Sequence, residues 1–428
     1  MHKIGFDKEA TMKQALTFGT DGIRGPANQS PFDDDTLTRL GRACVGLCTE
    51  SSRTVVIARD TRSSGTRIQQ ALTDGLMAGG AHVIDCGVLP TAALACIVVD
   101  EHACLGLMIT ASHNPWQDNG VKFFSSAGKK LPKHIQAQLL GWCSTAPNKT
   151  GLPGQSSQHP NPTHSWKQRL PQCDLSGWTL LLDCAHGSLS AYGAEILAER
   201  GATIILRGAS PDGQNINHGV GALHPPADIG KADLALCFDG DADRIQMVDR
   251  NGRLLDGDDF LVQMSKHIPG PLVGTIMSNG GLQDVLGERL LRSAVGDANV
   301  AAEMEQSGAI VGAEPSGHVI FNSDMPAGDG MYAALRILET CPQPPMNIEW
   351  KRWPSAATNV RFRGNRIALE QLSSISLAEA AGHRLVVRYS GTEPKLRILV
   401  EGANAEHWST LIADEFRQQL SRRTHEKY

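Results

Sequence analysis

The stretch TVVIARDTRSSGTRIQQALTDGLMAGGAHVID, residues 54–85, decides the fold. It opens on a short β-branched run at 54–58. It then spaces Ile68, Ala71, Leu72, Gly75 and Leu76 as one face of a helix over 66–79, and returns to an apolar run at 82–85. Strand, helix and strand in so short a span is the unit of an α/β sheet with helices on its faces.

The same alternation continues outward. Residues 105–109 form an apolar strand that runs straight into Thr110-Ala-Ser-His-Asn-Pro115, and a strand-like VKFF follows at 121–124. From Cys143 to His164 the composition turns to Pro, Ser, Thr, Asn and Gly, which reads as a loop and a domain boundary. A second unit follows, with a strand at 178–183, a helix at 189–200 and a strand at 202–206. A Gly/Pro/Asn/His stretch at 208–226 leads to a strand at 234–238. Residues 245–249 then meet Asn251-Gly252, a hairpin turn signal. A third unit starts near Asp256, with strands at 272–277 and 309–312 and helices at 282–291 and 330–340. After CPQPP (341–345) the tail is α+β. Residues 350–353 and 358–362 are expected to pair, 384–389 and 396–400 are strands around a turn, and 406–420 is a closing helix. The expected domains are 1–150, 151–254, 255–346 and 347–428.

The chain has 428 residues, a formal net charge of −5, 41% hydrophobic and 20% charged residues. That length holds several domains with ample core, and the charge excludes a strongly basic nucleic-acid footprint. No apolar run reaches the ~18 residues a membrane span needs. The first residues, MHKIGFDKEATMKQALTFG, contain no apolar signal region. The 10 cysteines include no C-x-x-C pair, so reduced, buried thiols in a cytoplasmic setting are expected, with neither zinc nor disulfides.

Five loops carry candidate chemistry. Asp239-Gly-Asp-Ala-Asp-Arg244 follows the strand LALCF, at the strand end where open α/β sheets place ligands. If the segment is extended, Asp239, Asp241 and Asp243 point the same way. Converging carboxylates call for a hard divalent cation such as Mg²⁺. An EF-hand fails here, because Arg244 and Arg250 stand where glycine and glutamate are required. A haloacid-dehalogenase-like phosphatase, with Asp239 as nucleophile, remains an alternative. The Thr110–Pro115 loop presents Ser112, with Lys122 on the next strand as a candidate base. No G-x-S-x-G elbow supports acyl transfer.

Gly312-Ala-Glu-Pro-Ser-Gly-His318 offers Glu314 and Ser316 to sugar hydroxyls and His318 for proton transfer. Arg388-Tyr-Ser-Gly-Thr-Glu-Pro394, with Arg397, supplies donors for a phosphate. Phe18-Gly-Thr-Asp-Gly-Ile-Arg24 adds a glycine-permitted approach and an anion-holding arginine. Taken singly, each of these loops also reads as an ordinary turn. No Walker loop, G-x-G-x-x-G or H-E-x-x-H is present.

In this order, TASHNP, DGDADR and SGTEP resemble the α-D-phosphohexomutase superfamily over nearly the whole chain. FGTDGIRG, DNGVKFF, the NIN at 215–217, VGTIMSN at 273–279 and the Ser-Gly-His ending of the third loop resemble its bacterial branch acting on glucosamine phosphate. The resemblance implies three related mixed α/β domains and a smaller C-terminal α+β domain around a central cleft. It implies that Ser112 carries a phosphoryl group and, with Asp239, Asp241 and Asp243, holds Mg²⁺. Arg24 and Arg244 would steady the phosphoserine, and Lys122 and His318 would move protons. Glu314 and Ser316 would grip the sugar. Arg388, Ser390, Gly391, Thr392 and Arg397 would hold the unreacting phosphate.

The implied substrate is a phosphosugar, with a hexose 1,6-bisphosphate as intermediate and activator. Neither nucleic acid nor membrane is an expected partner, and the oligomeric state is left open. Members acting on mannose and glucose phosphates, and a non-catalytic sugar-phosphate binder, are the other readings. Three departures bear on substrate choice and loop shape. Ala242 replaces the usual glycine, and Ala313 and Pro315 replace the Gly and Gln of the branch's third loop.

Overall fold

A computed structural model of the chain describes residues 16–19, 22–49, 52–145, 153–322, 325–390 and 394–425. Four sheets are strung along it. The first contains β1 (Ile23–Pro26), β2 (Thr54–Arg59), β3 (His82–Val88), β4 (Leu105–Ile109), β5 (Asp118–Ser125) and β6 (Ser156–Gln158) in the order β1-β5-β4-β2-β3-β6. Its β4-β2-β3-β6 part is parallel, and β5 and β1 close it antiparallel. The central parallel strands β2 and β4 are apolar because helices cover both faces. The helix Gly65–Ala78 buries Ile68, Leu72 and Leu76, the positions its 3.6 period predicts.

The second sheet has β7 (Thr179–Asp183), β8 (Thr203–Arg207), β9 (Leu234–Phe238), β10 (Ile245–Asp249) and β11 (Leu254–Leu255), in the order β11-β10-β9-β7-β8. The third has β12 (Leu272–Thr275), β13 (Leu290–Ser293), β14 (Val311–Ala313) and β15 (Val319–Phe321), in the order β13-β12-β14-β15. Both are mixed. The fourth is a small antiparallel sheet, β16 (Ser355–Arg361), β18 (Lys395–Glu401) and β17 (Arg384–Tyr389), packed on the helix Ala405–His425. This is the expected α/β architecture with a smaller α+β tail.

One continuous hydrophobic core ties the first three sheets together. It runs from Val56 and Leu94 through Trp166, Trp178 and Phe238 to Phe260 and Leu335. Trp166 Nε1 donates to Asp329 Oδ2 at 2.6 Å, so the polar atom of a buried indole is satisfied. The fourth sheet has a core of its own around Ile398, Ile412 and Phe416.

Four local expectations are corrected. The 143–164 stretch is not all loop, because β6 extends the first sheet by pairing with β3. The helix expected at 189–200 is a 3₁₀ turn, Ser188–Ala191, followed by Gly193–Ala198, broken at Tyr192 where φ is −126°. The helix expected to run to Leu291 ends at Leu286, because Gly287 takes φ 56° and Leu290 starts β13. Residues 350–353 pair with no strand. Their side chains work instead as a strap: Trp350 Nε1 donates to Asp259, Arg352 pairs with Asp256 and Asp259, and Trp353 Nε1 donates to Asp284.

The cysteine expectation is also corrected. Cys48 and Cys104 form a disulfide across 56 residues. The parallel pairing of β2 with β4 brings Cys104 beside Thr54, whose carbonyl accepts the Cys104 N–H at 2.9 Å, and Cys48 lies just upstream of β2. The remaining cysteines are free thiols, most of them buried. Among the described residues no helix is long and apolar enough to cross a membrane.

Candidate active site

The Ser112 loop and the aspartate loop follow apolar strands of neighbouring sheets, β4 and β9, and meet. Ser112 Oγ donates to Asp239 Oδ2 at 2.6 Å, and the serine is fully buried. Asp239, Asp241 and Asp243 are buried, and each offers an oxygen within 4.8 Å of the others. They do not converge by strand alternation, as the sequence suggested. The chain turns at once after β9, with Ala242 at φ 59° and its N–H on Asp239 O at 3.1 Å. Alanine in the left-handed region is strained by about 1 kcal/mol relative to glycine. Ala242→Gly is therefore expected to raise the thermal midpoint slightly and leave activity intact. A lower midpoint in a thermal melt would mean that the buried Cβ outweighs the backbone strain.

The aspartate cage calls for positive charge. Lys122, buried on β5, donates from Nζ to Asp241 Oδ2 at 2.7 Å and to Asp243 Oδ2 at 2.5 Å. Thr91 Oγ1 also donates to Asp241. Even so, Asp241 Oδ1 is buried without a hydrogen-bond partner. Burial first, then the charges of Asp243 and Asp241, raise the Asp239 carboxyl well above its ordinary value. Three hard oxygen donors, one orphaned carboxylate oxygen and an ammonium as stand-in cation are a set that fits a divalent ion. Beside them, burial, then Arg244 and Arg24, push the His113 imidazole down to about 4.

The third loop closes on the second by backbone contacts. Arg244 and His318 form a β-bridge, Ile245 N–H donates to Gly317 O at 2.9 Å, and Gly330 N–H donates to Ala242 O at 2.9 Å. His318 is buried, with Nδ1 3.9 Å from Asp243 and Nε2 3.5 Å from Asp297. A Cβ on Gly328 would lie 2.4 Å from His318 Nε2, so only glycine admits the imidazole there. Glu314 is buried, and its Oε1 accepts the Gly296 N–H at 2.9 Å. Ser316 is exposed at the loop's tip.

A cavity of about 430 Å³ opens beside this cluster, lined from all four sheets and the loops that follow them. Arg24 comes from β1, Arg244 from the aspartate loop, Glu314, Ser316 and His318 from the third loop, and Arg388 and Arg397 from the fourth sheet. Arg388 and Arg397 are cross-strand neighbours on β17 and β18. Two guanidinium groups side by side suit an anion. Burial, then Arg397, lower the Arg388 pKa, and Arg388 Nε is buried without a partner. Ser390 is buried at the end of β17, its N–H on Lys395 O at 2.8 Å. Gly391 and Thr392 lie outside the described residues.

The motif reading missed Lys130 and Asp297, which pair at 2.5 Å and line the cavity between the first and third units. It also missed Asp60 and Arg62 around the serine loop, and gave no role to Asn217, the last residue of the NIN at 215–217. Asp60 and Arg62 follow an apolar strand, as Ser112 and Asp239 do. Asking which polar residues succeed each apolar strand would have found them.

Comparison with known proteins agrees with this geometry. Family models described as phosphoglucomutase/phosphomannomutase alpha/beta/alpha domain I, alpha/beta/alpha domain III and C-terminal domain match residues 15–145, 256–349 and 376–419. The chain belongs to the phosphoglucomutase/phosphomannomutase family and is a phosphohexomutase, an isomerase. Within the family it is similar to phosphoglucosamine mutases. That of Symbiobacterium thermophilum is 38% identical over 92% of this chain and 97% of its own length. That of Erwinia tasmaniensis is 37% identical over 94% and 99%. Among solved structures, a phosphoglucomutase/phosphomannomutase family protein from Burkholderia thailandensis shares the fold. Its TM-score is 0.75 at 22% identity, over 94% of this chain and 97% of that one. The N-acetylphosphoglucosamine mutase of Aspergillus fumigatus, solved with GlcNAc-6P and magnesium, has a TM-score of 0.62 at 16% identity, over 95% and 96%.

Proposed function

We propose that this enzyme interconverts glucosamine 6-phosphate and glucosamine 1-phosphate by passing a phosphoryl group through Ser112. The observation that carries the reading is the Ser112 Oγ–Asp239 contact of 2.6 Å at the edge of the aspartate cage. Phosphoryl transfer needs positioning and charge neutralisation above all. Ser112, Asp239, Asp241 and Asp243 are the residues we assign to Mg²⁺, which when bound neutralises the carboxylates and the phosphoryl oxygens.

Phosphorylated Ser112 gives its phosphoryl group to the sugar's anomeric hydroxyl, and the serine oxygen takes the leaving bond's electrons. The product is a 1,6-bisphosphate. It turns end for end, and the 6-phosphoryl group returns to Ser112. Lys122 and His318 are assigned to the protons, and Arg24 and Arg244 to the phosphoserine. Glu314 and Ser316 are assigned to the sugar. Arg388, Ser390, Gly391, Thr392 and Arg397 are assigned to the phosphate that is not reacting. That fixed anchor supplies binding energy which orients the reacting end. A hexose 1,6-bisphosphate would prime the serine.

The domain limits that go with this reading are 1–150, 151–254, 255–346 and 347–428, with β6 of the second stretch added to the first sheet, and each domain contributes one wall of the cleft. A cytoplasmic site of action fits a phosphosugar substrate and the free thiols of the other cysteines.

A second reading, mannose or glucose phosphate as substrate, is favoured by Ala313 and Pro315 in the third loop. Pro315 has no N–H to offer the sugar, and its carbonyl is taken by Gln246 Nε2 at 2.9 Å. A coupled assay with glucosamine, glucose and mannose 6-phosphates decides between them. Glucosamine 6-phosphate is expected to show at least about tenfold higher kcat/KM, since one polar group read by a buried site is worth that much or more. Equal or better turnover of mannose 6-phosphate would overturn the amino-sugar assignment.

A further inference from the structure

Ser112 sits at φ 53°, in the left-handed region that serine rarely adopts. Such a conformation persists only where its surroundings over-determine it. The residues that do so here are Arg62 and Asn217, which belong to none of the five candidate loops.

Arg62 follows β2 and is buried, and its guanidinium carries five N–H groups. Nε donates to Asp60 Oδ2 at 2.8 Å. Nη1 donates to Pro115 O at 2.5 Å and to Asp118 O at 3.0 Å. Nη2 donates to Ser112 O and Asn114 O, both at 2.9 Å. Every donor is thereby used. Three of the five acceptors are carbonyls of the loop that bears Ser112, and a fourth, Asp118 O, is on the first residue of β5.

The other end of Ser112 is held by the same ion pair. Asp60 Oδ2 accepts from Thr110 Oγ1 at 2.7 Å, and Thr110 Oγ1 accepts the Ser112 N–H at 2.8 Å. From the second unit, Asn217 Nδ2 donates to Ser112 O at 2.9 Å and to Asn114 O at 3.2 Å. A Cβ on Gly240 would lie 2.7 Å from Ser112 O, so the aspartate loop presses on that same carbonyl.

We propose that Arg62 and Asn217 are positioning residues for phosphoryl transfer: together they clamp the serine loop from two units and aim Ser112 Oγ at the aspartate cage. This rests on the reading of Ser112 as the phosphoryl carrier. Neither residue lines the cavity. Each acts through the backbone that fixes the serine oxygen, and a displacement of about 1 Å at a reacting atom costs on the order of 100-fold in rate. Lysine cannot replace Arg62, because it has three donors on a single point and leaves at least two of the five acceptors unserved. Asn217 itself has φ 61°, so glycine there keeps the backbone and removes only the amide.

The test compares wild type, Arg62→Lys and Asn217→Gly. Each is incubated with glucose 1,6-bisphosphate and Mg²⁺, and phosphate on the Ser112 peptide is quantified by mass. kcat and KM are then measured per mole of phosphorylated enzyme, on whichever hexose phosphate the wild type turns over fastest. A merely structural role would lower the folded fraction and leave kcat per phosphorylated molecule unchanged. The expected result is a kcat loss of about 100-fold for Arg62→Lys and about 10-fold for Asn217→Gly, with KM within about threefold. A kcat within about threefold of wild type in both variants overturns the clamp, as does a rise in KM with kcat held. If Arg62→Lys fails to fold, Asn217→Gly decides alone by the same criterion. Phosphate absent from Ser112 in the wild type overturns the carrier reading itself, an outcome distinct from an unaffected kcat in the variants.

Discussion

Ser112→Ala abolishes turnover, with an expected loss on the order of 10⁴-fold or more, while the protein stays folded. The size of the effect follows from the proposed place of the serine in the reaction: without Oγ the carrier is gone, and among the described residues the neighbouring hydroxyls are already committed. Thr91 Oγ1 already donates to Asp241, and Thr110 Oγ1 is committed to Asp60 and to the Ser112 N–H. The structural cost is small. Alanine suffers the same left-handed backbone as serine, and the lost hydrogen bond to Asp239 is worth about 1 kcal/mol. A coupled mutase assay alongside circular dichroism checks both halves. Residual turnover within about 100-fold of wild type in a folded variant would mean that the phosphoryl group travels another way.

Asp241→Asn has the next largest effect, an expected loss of about 10³-fold in kcat/KM, because the buried carboxylate is the partner of Lys122 and the proposed ligand of the cation. Removing the cation with a chelator is expected to silence the wild type without unfolding it. Lys122 already neutralises Asp241 and Asp243 at 2.7 and 2.5 Å. The pH dependence of the chelated protein has a definite sign. The Asp239 carboxyl is raised above 3.8 in the folded state by burial and by its two acidic neighbours. Between the unfolded and folded values the folded chain holds the extra proton, so stability conferred at low pH is lost as pH rises through that window. Thermal midpoints measured with and without Mg²⁺ should therefore separate more at high pH than at low. A gap that narrows as pH rises would contradict the assignment of Asp239 to the cation.

Much of the architecture was legible because strands and helices announce themselves by period. The runs at 105–109 and 234–238 are strands over those very residues, since fully buried strands must be continuously apolar, and 245–249 is a strand over its expected residues as well. Elements with weaker patterns were not. β6 reads Ser-Ser-Gln and is exposed, so nothing in it but its pairing with β3 makes it a strand. The 350–353 segment has aromatic side chains suited to a strand, yet these are spent on acidic residues of the third unit. The Cys48–Cys104 disulfide was invisible, because only the β2–β4 pairing brings those positions together.

For the site, the residue chemistry was present in the letters: a hydroxyl, three carboxylates, a lysine, a histidine and four arginines, in loops after strands or on the strands themselves. The letters could not show that Ala242 turns the aspartate loop through a left-handed residue, nor that Lys122 of one sheet seats its ammonium on carboxylates of the next. Local sequence sets which side chains a strand delivers to its end, because period and apolarity act over a few residues. Which strand ends face one another is decided by packing across some hundred residues or more, as between Ser112 and Asp239. The burial of Arg62 under the serine loop is a product of that packing alone.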